Sequence, residues 1–221
     1  MHPRLKFAVL ASAVFLAACA PISSTPQNAM SFFVTSANPG QGADFGGLAG
    51  ADAYCQKLAA SSNAGSKNWR AYLSAAPSGS SPAVHARDRI GRGPWQNARG
   101  VVVATSIEDL HGPANKLNKQ NSLTEKGEVV NGRGDPVNMH DILTGSTPDG
   151  RLATSASDTT CGNWTKSGEG SAIVGHHDRD GINPDPVANV SWNSSHGTSG
   201  CSMAALKSTG GAGLMYCFAA N

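Results

Sequence analysis

The fold of this chain is decided by one stretch near its amino end, Phe45-Gly46-Gly47-Leu48-Ala49-Gly50-Ala51-Asp52-Ala53-Tyr54-Cys55-Gln56. Within this stretch and just after it, apolar side chains recur at three-to-four-residue spacing, at Leu48, Ala51, Cys55, Leu58 and Ala59. Such spacing places apolar side chains along one face of an α-helix. The pattern predicts a helix that ends near residues 63–65, with Cys55 on its buried face.

Runs rich in apolar, β-branched and aromatic residues predict short strands elsewhere in the chain. They occupy residues 32–35, 69–73, 101–104, 142–144, 163–165, 190–192 and 214–218. Glycine-rich or polar loops separate them, and residues 107–110 predict at most one helical turn. An early helix followed by a strand-dominated second half is typical of an α+β fold.

We interpret residues 1–18 as an export signal. Arg4 and Lys6 supply a basic start, and residues 7–18 form an apolar stretch too short to span a bilayer as a mature helix. The segment ends in Leu16-Ala17-Ala18-Cys19, which resembles the lipobox of bacterial lipoproteins. That resemblance implies lipidation of Cys19 and anchoring in a membrane, and the alternative is an ordinary secretory peptide cut near the same position.

The resemblance also implies the outer membrane, because Ala20 stands where an aspartate would retain a lipoprotein at the inner membrane. Residues 19–30 are rich in proline, serine and threonine and predict a flexible tether. Residues 31–221 form the predicted folded domain. Without residues 1–18 the chain has as many basic as acidic side chains. This balance argues against nucleic acid as a partner.

Four cysteines belong to the folded domain: Cys55, Cys161, Cys201 and Cys217. No CxxC spacing occurs among them, and an exported chain meets an oxidising environment. These two facts favour two disulfides over free thiols or a cysteine metal site. Four cysteines allow three pairings, and the residues alone do not choose among them.

Several blocks of the chain resemble, in order, a bacterial family of C-type-lectin-like domains that is related in fold to endostatin. The blocks are residues 33–36, 45–56, 69–74, 86–90, 93–95, 160–165 and 214–218, which together extend over nearly all of residues 32–218. The resemblance implies an early helix packed on short twisted antiparallel strands, adjacent terminal strands and a long loop region held by a disulfide. It also implies pairing of Cys55 with Cys217 and of Cys161 with Cys201.

The same resemblance implies ligand binding, to a glycan or to a protein. Sugar-binding C-type lectins use a proline-containing loop and a Trp-Asn-Asp segment to hold Ca²⁺, which needs several oxygen ligands. Here the candidate ligand-binding residues are Asp149, after Pro148, and Trp192-Asn193, although Ser194 replaces the aspartate. The alternative is that Trp192 belongs to the core and that residues 148–150 form an ordinary turn.

A second candidate site lies in Gly175-His176-His177-Asp178-Arg179-Asp180-Gly181. His176, His177, Asp178 and Asp180 are types of side chain that bind metal ions, and Asp185 and His196 are near enough in sequence to join them. Calcium is the first ion to consider for this chain and zinc the second. The alternative is a solvated loop in which Arg179 neutralises its neighbours.

Other motifs carry less weight. Arg133-Gly134-Asp135 is the tripeptide that integrins recognise, but it arises by chance in a glycine-rich chain. No nucleophile elbow, HExxH motif or phosphate loop occurs, so we expect no enzyme. A metal-dependent hydrolase at residues 176–180 is the weakest alternative, and an adhesion or structural protein without sugar binding is the stronger one. The sequence therefore predicts a lipid-anchored extracytoplasmic binding module.

Overall fold

The computed structural model of the chain describes residue 1 and residues 29–220. Residues 2–18 of the predicted export signal, Cys19 and nearly all of the predicted tether lie outside the described residues. Eight strands form in the described part: β1 (Phe32–Val34), β2 (Trp69–Ala71), β3 (Trp95–Gln96), β4 (Val102–Ala104), β5 (Asp141–Leu143), β6 (Ile173–His176), β7 (His196–Gly197) and β8 (Gly211–Ala219). The helices are α1 (Gly47–Ser61), α2 (Ile107–His111), α3 (Cys161–Trp164), α4 (Pro186–Asn189) and α5 (Met203–Ser208).

The last strand, β8, organises the main sheet. It pairs antiparallel with β1 along one edge, from Phe32 opposite Phe218 to Val34 opposite Tyr216. It also pairs antiparallel with β2 through its C-terminal half and parallel with β5 through its N-terminal half. Strands β6 and β7 extend the sheet beyond β5, and β3 and β4 form a separate hairpin. The structure is therefore α+β, and its two terminal strands are adjacent, as predicted.

The core has two parts, one on each face of the sheet. Along β8 the side chains alternate, because successive residues of a strand point to opposite faces. Met215 and Cys217 join the cluster that contains α1, whereas Tyr216 and Phe218 join the cluster on the other face. The tryptophans Trp69, Trp95 and Trp164 are all buried. Burial of β8 on both faces explains why its sequence reads as a continuous apolar run.

Helix α1 forms where its apolar spacing predicts and packs against β2 and β8. Two disulfides reinforce the fold, with the pairings that the family resemblance implied. Cys55 of α1 is bonded to Cys217 of β8, and Cys161 is bonded to Cys201. The first ties the helix to the central strand, and the second encloses residues 162–200.

Two of the predicted strands are wrong. Residues 163–165 belong to a helical turn, α3, in which Cys161, Asn163 and Trp164 adopt positive φ angles. The Thr160 hydroxyl accepts a hydrogen bond from the Asn163 amide and caps this turn. Residues 190–192 follow α4 and are not part of a strand, because Asp185 and Pro186 start a helical turn just before them. Helices long and apolar enough to cross a membrane do not occur within residues 29–220.

Candidate functional site

The predicted ligand residues Trp192 and Asn193 are both buried. The indole of Trp192 packs against the rings of Tyr72 and Tyr216, with centroids 4.9 and 5.2 Å away. The side-chain amide of Asn193 donates to the carbonyl oxygens of Thr147 and Pro148, at 3.1 and 3.2 Å, and approaches the Tyr72 hydroxyl at 3.0 Å. Asn193 therefore presents N–H donors to this turn, where Ca²⁺ would require oxygen ligands.

The third predicted ligand residue, Asp149, is exposed and lies in the turn that Asn193 holds. The Gly150 amide donates to the Thr147 carbonyl at 2.9 Å, which closes the turn. A hydrogen bond from the Thr147 hydroxyl, together with Arg151 and Arg87 nearby, lowers the pKa of Asp149. The structure thus brings Asp149 near Trp192-Asn193. The turn that contains Asp149 is hydrogen-bonded to Asn193, and the polar atoms described above already have partners within the protein.

A half-open cavity of about 470 Å³ lies elsewhere, beside the sheet extension formed by β6 and β7. Most of its walls come from the segment enclosed by the Cys161–Cys201 disulfide, including Ile182, Asn183 and Pro184. Arg133, Asn138 and Thr209 complete the rim. The side chain of Ile182 is 82% exposed, so the cavity offers an accessible apolar surface among amides and hydroxyls.

Histidines and one aspartate form the floor of this cavity. The Nε2 atoms of His140, His176 and His196 lie 3.2, 3.4 and 3.4 Å from a single oxygen, Oδ1 of Asp141. The side chain of Asp141 is 1% exposed, and neither of its oxygens has a hydrogen-bond partner among the described residues. We refer to these four residues as the His-Asp cluster.

Strand register brings the cluster together. Asp141 of β5 and His176 of β6 are directly opposite each other, and His196 of β7 is opposite Val174, two residues before His176. Directly opposite and diagonal neighbours on adjacent strands share one face of a sheet. His140 precedes β5, and its ring stacks on that of His176 with centroids 4.3 Å apart.

Two glycines leave room for these rings. A Cβ atom added at Gly181 would come within 2.5 Å of the His176 ring, and one added at Gly210 within 2.9 Å of the His140 ring. Gly210 also has a φ of +105°, a conformation that side chains disfavour.

The second nitrogen of each histidine in the cluster faces an acceptor. Nδ1 of His176 lies 2.9 Å from the Asn189 carbonyl, and Nδ1 of His196 lies 3.1 Å from the Gly197 carbonyl. Nδ1 of His140 lies 3.3 Å from a carboxylate oxygen of Asp178. Both nitrogens of each ring therefore face oxygen atoms that only accept, so a neutral ring can donate to one of them and presents a lone pair to the other.

Burial and charge act differently on the histidines. Burial lowers the pKa of His176, so this imidazole is neutral at neutral pH. The contact with Asp141 raises the pKa of His196, against a smaller opposing effect of burial. The Nε2–Oδ1 separations of 3.2–3.4 Å are long for charge-assisted hydrogen bonds, so Asp141 remains a poorly compensated buried charge.

The residues predicted from the 175–181 segment separate in the structure. His176 belongs to the His-Asp cluster. His177 lies outside it, with Nε2 3.1 Å from the Asn131 carbonyl, and burial lowers its pKa. Consecutive residues of an extended chain point to opposite sides, which accounts for this separation.

Asp178 and Asp180 support neighbouring structure. Asp178 accepts from the Arg133 amide and contacts His140 from behind. Burial alone would raise the pKa of Asp178, but hydrogen bonds from His140 and the Arg133 amide hold it well below its usual range. Asp180 is exposed and forms an ion pair with Arg133 at 3.0 Å.

Two other sequence candidates have structural partners. Asp185 caps α4 by accepting from the Val187 amide at 2.8 Å. Within the Arg133-Gly134-Asp135 tripeptide, the Asp135 carboxylate pairs with Lys119 at 2.6 Å and accepts from the Gly132 amide. Both charged groups of the tripeptide are thus engaged within the protein.

Reasoning from the sequence missed His140 and Asp141. The available signal was the His-Asp dipeptide placed directly before the apolar run at residues 142–144. Reasoning from the sequence did identify His176 and, by sequence proximity, His196. A cluster of this composition can hold a proton or a metal cation, because neutral imidazoles and a carboxylate are both metal ligands.

Comparisons with known proteins add no identity. No protein-family model matches the chain, and no curated protein is significantly similar to it.

Proposed function

We propose that the protein is a lipid-anchored extracytoplasmic binding module with a C-type-lectin-like fold, and that it recognises a glycan in the cavity above the His-Asp cluster. The observation that carries this proposal is the origin of the cavity walls, most of which belong to the segment enclosed by the Cys161–Cys201 disulfide. Binding residues often lie on loops that a rigid scaffold, such as a β-sheet, holds in position.

The chemistry of the cavity suits a saccharide. The Asn138 amide and the Arg133 guanidinium, which has further N–H groups besides the one paired with Asp180, can donate to sugar hydroxyls, whereas Ile182 and Pro184 offer apolar surface to the C–H face of a sugar ring. The cavity volume of about 470 Å³ lies in the range of small-molecule sites.

A binding role fits this cavity better than catalysis. The two hydroxyls on its rim donate to carbonyl oxygens of α5, Ser208 to Ala205 at 2.8 Å and Thr209 to Leu206 at 3.1 Å. An activated nucleophile would instead contact a general base. We therefore place no catalytic residue in the cavity.

The C-type-lectin-like assignment is supported by the ordered sequence blocks, the two disulfide pairings and the adjacent terminal strands β1 and β8. Lipid anchoring is supported by the leader and by Leu16-Ala17-Ala18-Cys19. Replacing Cys19 with serine should leave unprocessed or released protein. If a Cys19→Ser variant still partitions with membranes as the mature form, the lipoprotein assignment fails.

Ligand binding can be tested with the detergent-solubilised full-length protein on a glycan array, with and without a metal chelator. We expect saccharide binding that Ile182→Asp abolishes, because the carboxylate would enter the apolar wall of the cavity. Val129→Asp is the matched control, since Val129 is also an exposed apolar residue but lies outside the cavity. A blank array, together with binding to envelope or host proteins, would favour the adhesion alternative.

A further inference from the structure

The nitrogen atoms that face Asp141 are available to bind a cation. With the proton on Nδ1, a neutral imidazole presents an unprotonated lone pair at Nε2. His140, His176 and His196 would then direct their lone pairs at a buried carboxylate. That arrangement is repulsive unless a proton or a metal cation lies between the groups.

Protons alone compensate the cluster poorly. One added proton at Nε2 of His196 gives a single ion pair with Asp141 and leaves the other two imidazoles facing the same oxygen. Protonating His140 and His176 as well would place two cations in stacked rings whose centroids are 4.3 Å apart. Like charges this close and this buried repel strongly.

The distances from Asp141 to two histidines are those expected between ligands of one metal ion. Bonds of about 2.0–2.1 Å from a tetrahedral ion place neighbouring ligand atoms about 3.3 Å from each other. Oδ1 of Asp141 lies 3.2 Å from Nε2 of His140 and 3.4 Å from Nε2 of His176. The potential ligand atoms of these three residues all lie within 4.8 Å of one another, and His196 does not belong to this set.

We propose that His140, Asp141 and His176 bind one divalent transition-metal ion, with Zn²⁺ as the best match. Imidazole nitrogen suits zinc, copper and nickel, whereas Ca²⁺ and Mg²⁺ require several oxygen ligands, and Asp141 is the one carboxylate in this set. Two imidazoles and one carboxylate are a ligand set that Zn²⁺ sites in proteins use.

The outer contacts of the cluster resemble those of established zinc sites in kind. Metal-binding histidines donate their second N–H to a carboxylate or a backbone carbonyl, which fixes the ring and its tautomer. Here Asp178 performs that role for His140, and the carbonyl of Asn189 performs it for His176. Asp178 is therefore a positioning residue and not a ligand.

Three protein ligands leave one position of a tetrahedral site open to a water molecule or to a ligand in the cavity. The ion would connect β5 and β6 through residues on one face of the sheet and hold the floor of the cavity. The metal site stands on the geometry of the cluster and does not depend on what the cavity binds.

The test uses full-length protein in detergent, stripped of metal with a chelator and then titrated with Zn²⁺. We expect one equivalent to bind and to raise the melting temperature, and we expect Co²⁺ to give the visible absorption of a tetrahedral site. His176→Gln should abolish stoichiometric binding. Asp178→Asn should weaken binding by about 10–100-fold, the usual effect of losing an outer contact.

Two control variants separate this site from alternatives. Asp180→Asn removes an exposed carboxylate of the 175–181 segment, and His85→Gln removes an imidazole outside the cluster. Both should bind Zn²⁺ as the parent protein does.

Failure of the parent protein to bind a stoichiometric ion while its disulfides are intact would overturn the proposal. So would unchanged binding by His176→Gln, or loss of binding in Asp180→Asn. Because metal is measured directly, a blank glycan array with intact zinc binding would reject only the glycan ligand.

Discussion

Two of the buried carboxylates, Asp52 and Asp141, lie in very different surroundings. Asp52, on α1, accepts hydrogen bonds from both Arg70 and Arg89 at 2.8 Å and from the Ala71 amide at 2.9 Å. Asp141, on β5, has no hydrogen-bond partner among the described residues and is surrounded by imidazoles.

The difference separates a structural carboxylate from a functional candidate. Guanidinium groups are permanently charged, so they compensate Asp52 in every state of the protein. Imidazoles are charged only when protonated, so compensation of Asp141 depends on a proton or a metal ion. A buried polar group without a hydrogen-bond partner requires an explanation, such as a bound ion or water molecule.

Removing the two disulfides separately should produce the largest effects and show how each region is held. In the chain-entropy model, loops of 162 and 40 residues correspond to upper values of about 5 and about 4 kcal/mol. We expect Cys55→Ala/Cys217→Ala to destabilise the protein more than Cys161→Ala/Cys201→Ala in chemical denaturation. Only the second pair should also impair ligand binding in the cavity. Equal loss of ligand binding in both, at temperatures where both are folded, would contradict this division.

Replacing Asp52 with asparagine should be the next most damaging change. The side chain of Arg89 is only 11% exposed, and the variant leaves this guanidinium without its counter-charge. Breaking a buried ion pair from one side typically costs about 3–5 kcal/mol. Urea denaturation would measure the cost, with Asp149→Asn as the control because Asp149 is exposed. A loss of less than about 1 kcal/mol in the free energy of unfolding would mean that Asp52 contributes no more to stability than a residue of an exposed ion pair does.

The same change at Asp141 should have the smallest effect on the metal-free protein. At pH 8, in the presence of a chelator, Asp141→Asn should leave the free energy of unfolding unchanged or raise it by about 1 kcal/mol, because a buried charge is removed. Adding Zn²⁺ should stabilise the parent protein and not this variant. A large destabilisation in the chelator would mean that Asp141, like Asp52, is already compensated within the protein.

Local patterns in the sequence were sufficient for much of the fold. Three-to-four spacing predicted α1, and apolar runs predicted β1, β2, β4, β5 and β8 within one to three residues at each end. The same reasoning predicted strands at residues 163–165 and 190–192, and both predictions were wrong. Positive φ angles around the Cys161–Cys201 disulfide and the capped turn α4 overrode the strand preference of Trp164 and Trp192.

The sequence by itself determined the fold class, the early helix and the set of cysteines that form disulfides. It also indicated His176 and His196 as metal-binding types. Only the tertiary structure joined them to His140 and Asp141 and separated them from His177 and Asp180. The physical reason is that ligand convergence depends on the register between β5, β6 and β7, which is set by long-range pairing and not by local spacing.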